Sequence, residues 1–163
     1  MPEPAARHAS LPAGYGSPSG AAGERLPWSL VEDWIVASRN YWLCTTRPDS
    51  RPHAKRVWGV WLDQMLLFST SPDSVTARNL AAGSHLLVHL ESGDQVAMFD
   101  GATEPARDSA LLERFTEAYE SKYNWRVDVS DPDTPVLALR PESVLAWDAK
   151  ESFIETATRW TLA

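Results

Sequence analysis

The sequence has a single cysteine, Cys44, among its 163 residues. One cysteine cannot form an internal disulfide bond, and unpaired cysteines usually pack as small apolar side chains. Because disulfide bonds are rare in reducing compartments, this composition is typical of a cytoplasmic protein. The sequence also has no run of eighteen apolar residues, which predicts that no segment spans a membrane, and its first residues lack the pattern of a secretory signal.

The sequence also lacks the short motifs of the commonest nucleotide and catalytic sites. It contains no Gly-x-Gly-x-x-Gly fingerprint, no glycine-rich phosphate loop and no Gly-x-Ser-x-Gly turn. Its four histidines and lone cysteine do not have the spacing of zinc ligands. We therefore predict no metal site, and the sequence singles out no catalytic acid, base or nucleophile.

Basic residues are scarce over most of the chain. The sequence has 15 basic and 22 acidic residues, a net charge of −7, and no basic stripe, so we expect no nucleic-acid partner. Residues 47–79 are the exception, since five of the basic and only three of the acidic residues lie there, giving +2 against −9 for the remainder. A basic region on an acidic protein can attract a small anion.

Within this segment, cationic and hydroxyl side chains gather at the ends of apolar strands. Lysine and arginine donate charge-assisted hydrogen bonds, and the N-terminus of a helix also attracts an anion. The sequence therefore predicts a phosphate-binding site here, although an ordinary hairpin with exposed charges is the alternative. Asp73 opposes the site unless it caps the helix and points away. The candidate ligands are Lys55, Arg56, Ser69, Thr70, Ser71, Ser74, Arg78 and Asn79.

Tryptophan is frequent, with eight residues in the chain. Core packing is the ordinary role of an indole on a strand, but one at an opening can also flank a planar ligand. Trp58, in the strand opened by Lys55, Arg56 and Val57, is a candidate of this kind. Further candidates near the C-terminus are Trp147, Arg159 and Trp160.

The pattern of elements predicts a mainly β fold. Residues 1–27 are rich in proline, glycine, alanine and serine and predict a mobile tail before a single domain over residues 28–163. Ser29 and Glu32 have the spacing of a capping box at the start of the first helix, which we expect to end at Asn40. Short turns predict antiparallel pairing, and eight strands can close into a barrel. The predicted strands are 41–46, 54–62, 65–70, 86–90, 95–103, 136–140, 143–148 and 153–162, and the later helices are 74–82 and 109–122.

Taken in order, these segments resemble the pyridoxamine phosphate oxidase-like family of flavin-binding split barrels. The resemblance covers about residues 28–162 and rests on an ordered set of short motifs, each of them weak alone. The motifs are Trp42–Thr46, Arg51–His53, Gly59–Asp63, Phe68–Ser71, Ser74 with Ala77–Leu80, Ala146–Trp147 and Thr158–Trp160.

This resemblance implies an antiparallel split β-barrel with a few flanking helices, acting as a flavin-dependent oxidoreductase on a small redox substrate. It also implies a homodimer with FMN, or a deazaflavin coenzyme, between the subunits. The strand from Lys55 to Trp58 would lie along the flavin ring and begin the phosphate site. The stretch from Ser69 to Ser74, with Arg78 and Asn79, would hold phosphate and ribityl groups. The C-terminal candidates would contribute from the other subunit.

The sequence departs from the family at two places. Many relatives have lysine two residues after the serine matching Ser74, whereas this chain has Thr76. Near the C-terminus only Arg159 remains of the basic set with which true pyridoxamine phosphate oxidases bind their substrate, so we do not expect that activity. A deazaflavin-dependent reductase and a non-catalytic protein that binds a flavin or another planar ligand are the alternatives.

Overall fold

The computed structural model describes residues 3–16, 25–83 and 85–162. No helix among them is long and apolar enough to cross a membrane. The strands are β1 (Ala5–His8), β2 (Tyr41–Thr46), β3 (Pro52–Val57), β4 (Gly59–Leu62), β5 (Met65–Ser69), β6 (His85–Leu90), β7 (Gln95–Pro105), β8 (Val136–Asp148) and β9 (Thr158–Thr161). The helices are α1 (Trp28–Ala37), α2 (Val75–Ala82), α3 (Ser109–Tyr123) and α4 (Phe153–Thr156), with a 3-10 turn at Ala13–Tyr15.

The sheet is antiparallel at every recorded pairing and branches at β8. Its main order is β1-β9-β8-β7-β6-β2-β3, while β5 pairs with both β4 and β8. One edge of β8 pairs with β7, and the other pairs first with β5 and then with β9. This confirms the predicted antiparallel fold, and the branch is where the barrel splits. The strands predicted at 136–140 and 143–148 are therefore one strand.

A β-bulge lets β8 remain continuous. The register with β7 shifts between Asp100 and Gly101, opposite Pro141. A Cβ atom at Gly101 would lie 2.0 Å from the carbonyl oxygen of Arg140, so only glycine fits at this close approach.

Two apolar clusters hold the fold together. The larger one fills the sheet interior and includes Leu43, Phe68, Phe99 and Trp160, each 2% exposed or less. The second lies under α3 and is formed by the residues Val60, Met65, Leu67, Phe115, Tyr119, Tyr123, Val136 and Ala138. The apolar spacing of α3 and its cap at Asp108, which accepts from Leu111 N at 2.7 Å, agree with the sequence prediction.

The start of α1 differs from the prediction. The helix begins at Trp28 with Pro27 as its N-cap, and no side chain caps it. Glu32 does not complete a capping box with Ser29, because its carboxylate accepts a hydrogen bond from Trp61 Nε1 at 3.0 Å. The helix ends at Ala37 rather than near residue 40. Packing of the buried Trp28 ring against the core determines the start in place of the local capping pattern.

The N-terminal segment is also part of the fold. Ala5–His8 pairs with β9, and Leu26 is only 6% exposed in the larger cluster. Pairing with β1 covers an edge of β9 that would otherwise be open. The described residues before Trp28 are therefore not a tail outside the domain, whereas residues 1–2 and 17–24 of the predicted tail lie outside the described residues.

Two further segments differ from the prediction. Residues 153–162 do not form one strand, because Ser152 Oγ accepts from Glu155 N and caps the short helix α4 before β9 begins. The predicted strand 54–62 is divided at Trp58 into β3 and β4. This break matters for the site, since it turns the Trp58 side chain toward α3.

Candidate functional site

A cation and two hydroxyls meet at the N-terminus of α2. Lys55 Nζ donates to Thr70 Oγ1 at 3.1 Å, and Thr70 Oγ1 lies 3.0 Å from Ser74 Oγ. Ser74 is the N-cap of α2, where its hydroxyl accepts from Ala77 N at 3.0 Å. The arrangement brings together the donors that an anion requires, and three of the predicted ligands form it.

A cavity of about 270 Å³ adjoins this cluster. Its aromatic wall is Trp58, whose ring stacks on Tyr123 at 4.7 Å and meets Tyr119 edge-on at 6.4 Å. A larger cavity of about 640 Å³ lies between α3 and residues 126–129, and none of the predicted ligands lines it. The smaller cavity is lined by Lys55, Arg56, Val57, Trp58, Ser69 and Tyr119.

The two other predicted cations turn away from the cluster. Side chains alternate along a strand, so Arg56 lies on the opposite face from Lys55. Arg56 Nη1 donates to Asn40 Oδ1 at 2.5 Å, and its guanidinium lies 5.9 Å from the Trp58 ring centroid. Arg78 is exposed and donates to the carbonyl oxygen of Asp73 at 2.5 Å. Arg56 still reaches the cavity, whereas Arg78 braces the turn before α2.

Two predicted hydroxyls have structural partners. Ser69 Oγ donates to the carbonyl oxygen of Pro135 at 3.1 Å and so ties the end of β5 to the start of β8. Ser71 Oγ accepts from Asp73 N at 3.3 Å within the turn. Ser69 lines the cavity, but Ser71 serves the turn that brings Ser74 to the helix end.

Three predicted ligands are buried. Asn79 is 4% exposed and donates to Thr45 Oγ1 at 2.8 Å, which fixes α2 on β2. Val57 is 6% exposed, so its backbone rather than its side chain borders the cavity. Trp160 is 0% exposed and packs against Trp28, so in the single chain its ring belongs to the core. The alternation of β9 turns Trp160 inward and Arg159 outward.

The remaining candidates lie at the other end of β8. Ser69 pairs with Val136, and Trp147 follows Val136 by eleven residues on the same strand. At about 3.3 Å per residue, roughly 35 Å separates the two positions. Trp147 packs on Phe153 at 5.2 Å, and Arg159 Nη1 donates to Ser143 Oγ at 3.4 Å. In a single chain, Trp147 therefore lies far along β8 from Ser69 and from the cavity that Ser69 lines.

Two residues near the cluster were not predicted. Tyr119 lines the cavity from α3, and its helical spacing in the sequence indicated only a core residue. His53 Nε2 lies 3.4 Å from Thr76 Oγ1, and the Thr76 side chain is 0% exposed. Since residues two apart on a strand share a face, the position of His53 relative to Lys55 could have indicated it from the sequence.

A half-buried lysine supports the aromatic wall from behind. Lys122 Nζ donates to Tyr41 Oη at 2.9 Å and to the carbonyl oxygen of Val36 at 3.2 Å. Burial, helped by the nearby Arg39 charge, lowers the pKa of Lys122 to about 8. Burial also raises the pKa of Tyr123 to about 12, and its hydroxyl accepts from the backbone N of Gly59 at 3.0 Å, at the break between β3 and β4. These contacts fix the position of the Trp58 ring.

Comparison with solved structures supports the split-barrel fold. The protein Rv2991 from Mycobacterium tuberculosis is 20% identical, with a TM-score of 0.68 over 82% of this chain and 91% of that one. An F420 reductase is 18% identical, with a TM-score of 0.54 over 69% of this chain and 94% of that one. A heme-binding protein from Mycobacterium smegmatis is 17% identical, with a TM-score of 0.59 over 71% of this chain and 51% of that one.

At these identities the similarity concerns the fold. No curated protein matches the sequence. The family model of pyridoxamine 5'-phosphate oxidase matches residues 29–148, which include the Lys55–Thr70–Ser74 cluster and the cavity beside it. Since this match spans well over half of the chain, the protein belongs to the pyridoxamine 5'-phosphate oxidase family.

Proposed function

We propose that the chain is an FMN-dependent oxidoreductase that holds the phosphate of FMN at the Lys55–Thr70–Ser74 cluster. The observation that carries the proposal is the chain of contacts at 3.1 and 3.0 Å that places one ammonium and two hydroxyls at the N-terminus of α2. A phosphate monoester is a dianion or monoanion near neutral pH and accepts from all three groups. Membership of the family supports FMN over an unrelated anion.

The adjoining cavity suits the flavin ring. Trp58 and Tyr119 supply an aromatic wall, and the stack of Trp58 on Tyr123 holds that wall in place. Bound FMN would supply the electron and hydride transfer that none of the side chains performs. The chain's own part is to anchor the phosphate through Lys55, to orient the ring and to exclude water from one of its faces.

A second copy of the chain completes the site in this proposal. The outward face of the sheet carries a cross-strand row of paired residues, half-buried and apolar at its centre. The strand pairings make each residue the neighbour of the next. The row is Arg56, Trp42, His89, Met98, Leu145 and Arg159, and we name it the outer row.

A two-fold axis would bring together the candidates at opposite ends of the outer row. If the axis runs parallel to the strands between two such faces, the outer row of one copy is reversed over that of the other. The Arg56 end then meets the Arg159 end of the partner subunit, so the width of the sheet no longer separates these two candidates. We therefore propose a homodimer with two FMN sites, each built from both subunits.

A deazaflavin coenzyme is the second candidate. Thr76 stands where many relatives have lysine, so the phosphate site has one cation fewer than the resemblance implies. An F420 reductase is among the similar structures, which supports a reductase using that coenzyme. A non-catalytic carrier is the third candidate, in line with the fold shared with a heme-binding protein.

One experiment separates these candidates. The purified apoprotein is titrated with FMN, riboflavin and a deazaflavin, and the complexes are then mixed anaerobically with NADPH and electron acceptors. We expect FMN to bind at least tenfold more tightly than riboflavin and to support turnover. Preference for the deazaflavin would favour the second candidate. Binding without turnover for a broad set of acceptors would favour the carrier, and no binding of any flavin would refute the proposal.

A further inference from the structure

His53 lies beside the first turn of α2, close to the proposed phosphate site. It occupies β3 two residues before Lys55, so the two side chains share one face of the strand. Lys55 reaches Thr70 before α2, while His53 Nε2 lies 3.4 Å from Thr76 Oγ1 inside its first turn. Ser74, the N-cap, lies between these two contacts in the sequence.

This geometry gives an anion at the helix end two basic neighbours. Residues two apart on a strand are about 6.6 Å from each other, a distance that one phosphate group can bridge with its three oxygens. Thr76 is 0% exposed whereas His53 is half-buried, so the imidazole is the more accessible of the two side chains. The available donors toward the N-terminus of α2 are therefore an ammonium, an imidazole and the hydroxyls.

We propose that His53 is a further phosphate ligand and that it takes up a proton when the phosphate binds. The inference rests on the proposed function and adds a regulation to it, since the affinity of the site then depends on pH. A neutral imidazole offers one N–H donor, whereas the imidazolium adds a positive charge facing the dianion.

The surrounding charges are consistent with proton uptake on binding. Arg47 follows β2, which packs against β3, and its Nε atom is buried without a hydrogen-bond partner among the described residues. Lys55 lies on the same strand, and α2 contributes Arg78, with Asp73 just before it. Three cations and one carboxylate thus lie on the segments around the imidazole, although Arg78 is engaged by the carbonyl oxygen of Asp73. A bound phosphate adds negative charge, which favours the protonated ring.

The test compares the full-length protein with His53→Gln. FMN affinity is measured from pH 6 to pH 8, and calorimetry in two buffers of different ionisation enthalpy gives the protons taken up on binding. The FMN phosphate itself titrates near about pH 6, so the quantity of interest is the affinity ratio of wild type to variant at each pH. We expect this ratio to rise from about twofold at pH 8 to about tenfold at pH 6, as a charge-assisted bond predicts.

Two further variants keep the result interpretable. His85→Gln is the matched control, because His85 is exposed on β6 with Glu142 3.6 Å away, and it should leave the pH profile unchanged. His53→Lys supplies a permanent cation and should bind FMN at pH 8 about tenfold more tightly than His53→Gln.

The outcomes distinguish the inference from the function on which it rests. FMN binding with the same proton uptake and the same pH profile in wild type and His53→Gln would overturn the role of His53 and leave the FMN site standing. If His53→Gln lost the same affinity for riboflavin as for FMN, the role of His53 as a phosphate ligand would also be overturned. His53 would then support the fold through its contact with Thr76. Failure of wild type to bind FMN at any pH would overturn both.

Discussion

The ammonium of Lys122 on α3 donates a hydrogen bond to the hydroxyl of Tyr41 on β2 at 2.9 Å, although both side chains are largely removed from water. The ammonium also lies 5.0 Å from the centroid of the Tyr41 ring. This contact joins the helix that supplies the cavity wall to β2, the strand that pairs with both β3 and β6. It also makes the stability of the fold depend on pH.

We predict that stability rises between about pH 8 and pH 10. The pKa of Lys122 is about 8 in the folded protein, against an ordinary value of about 10.4, so the unfolded chain binds more protons in this window. Stability should fall again above about pH 10, because burial raises the pKa values of Tyr41 and Tyr123 and only the unfolded chain ionises them.

Urea midpoints measured at intervals from pH 7 to pH 11 check this prediction. Lys122→Met should remove the rise between pH 8 and pH 10 and leave the fall above it. Lys150→Met is the control, since Lys150 is exposed beside Asp94 at 3.6 Å and should leave the profile unchanged. A rise in stability between pH 8 and pH 10 that persists in Lys122→Met would show that Lys122 is not its cause.

Lys55→Ala should weaken FMN binding by about ten- to a hundredfold, because a hydrogen bond to a charged group contributes about 1.5–3 kcal/mol. Riboflavin has no phosphate and should lose less than threefold. Arg78→Ala is the matched comparison and should have the smaller effect, since Arg78 donates to the carbonyl of Asp73 rather than to the cluster. Fluorescence titration of each variant with FMN and with riboflavin measures these affinities. A larger loss of FMN affinity in Arg78→Ala than in Lys55→Ala would place the phosphate elsewhere.

Met98→Glu should convert the proposed dimer to a monomer and abolish tight FMN binding at the same time. Met98 lies at the centre of the outer row, where a second copy would bury an unpaired carboxylate. Val36→Glu is the control, because Val36 is 54% exposed on α1 and does not belong to the row. Light scattering gives the mass of each variant. A dimeric Met98→Glu protein would show that the copies associate through another face.

Deleting residues 1–9 should lower the melting temperature by about 3–6 °C. The deletion removes β1 and opens the edge of β9, at a loss of about 1–2 kcal/mol in a chain of this size. Calorimetry checks the value, and the same deletion with FMN present shows whether the site is affected. An unchanged melting temperature would mean that the pairing of Ala5–His8 with β9 contributes no stability.

Local patterns in the sequence were sufficient for part of the fold. The hydroxyl run after β5, the boundaries of β2 and the cap of α3 at Asp108 follow from short-range chemistry, and the structure has them. The burial of Trp160 and the early start of α1 depend on contact between Trp28 and Trp160, which are distant in sequence. Residue propensities describe only the local sequence and do not predict such contacts.

The candidate site shows the same division. Lys55, Thr70 and Ser74 could be grouped in advance because two strands and a tight turn bring them together over a short stretch of chain. The contact of His53 with Thr76 and the wall formed by Tyr119 depend on how α2 and α3 pack across the sheet. The division of the strand at Trp58 did have a local signal, since Gly59 follows it and a glycine inside a strand pattern indicates a bulge or a close backbone approach.

The lone thiol gives the protein a reporter of its own assembly. Cys44 lies two residues after Trp42 on β2, so both side chains face outward and Cys44 is next to the outer row. Partial burial already raises the pKa of its thiol, so its reaction with an alkylating reagent is slow even in the single chain. Association through this face would cover it further. The rate of Cys44 alkylation against protein concentration then measures dimer dissociation directly, without an introduced label and with no second cysteine to confuse the signal.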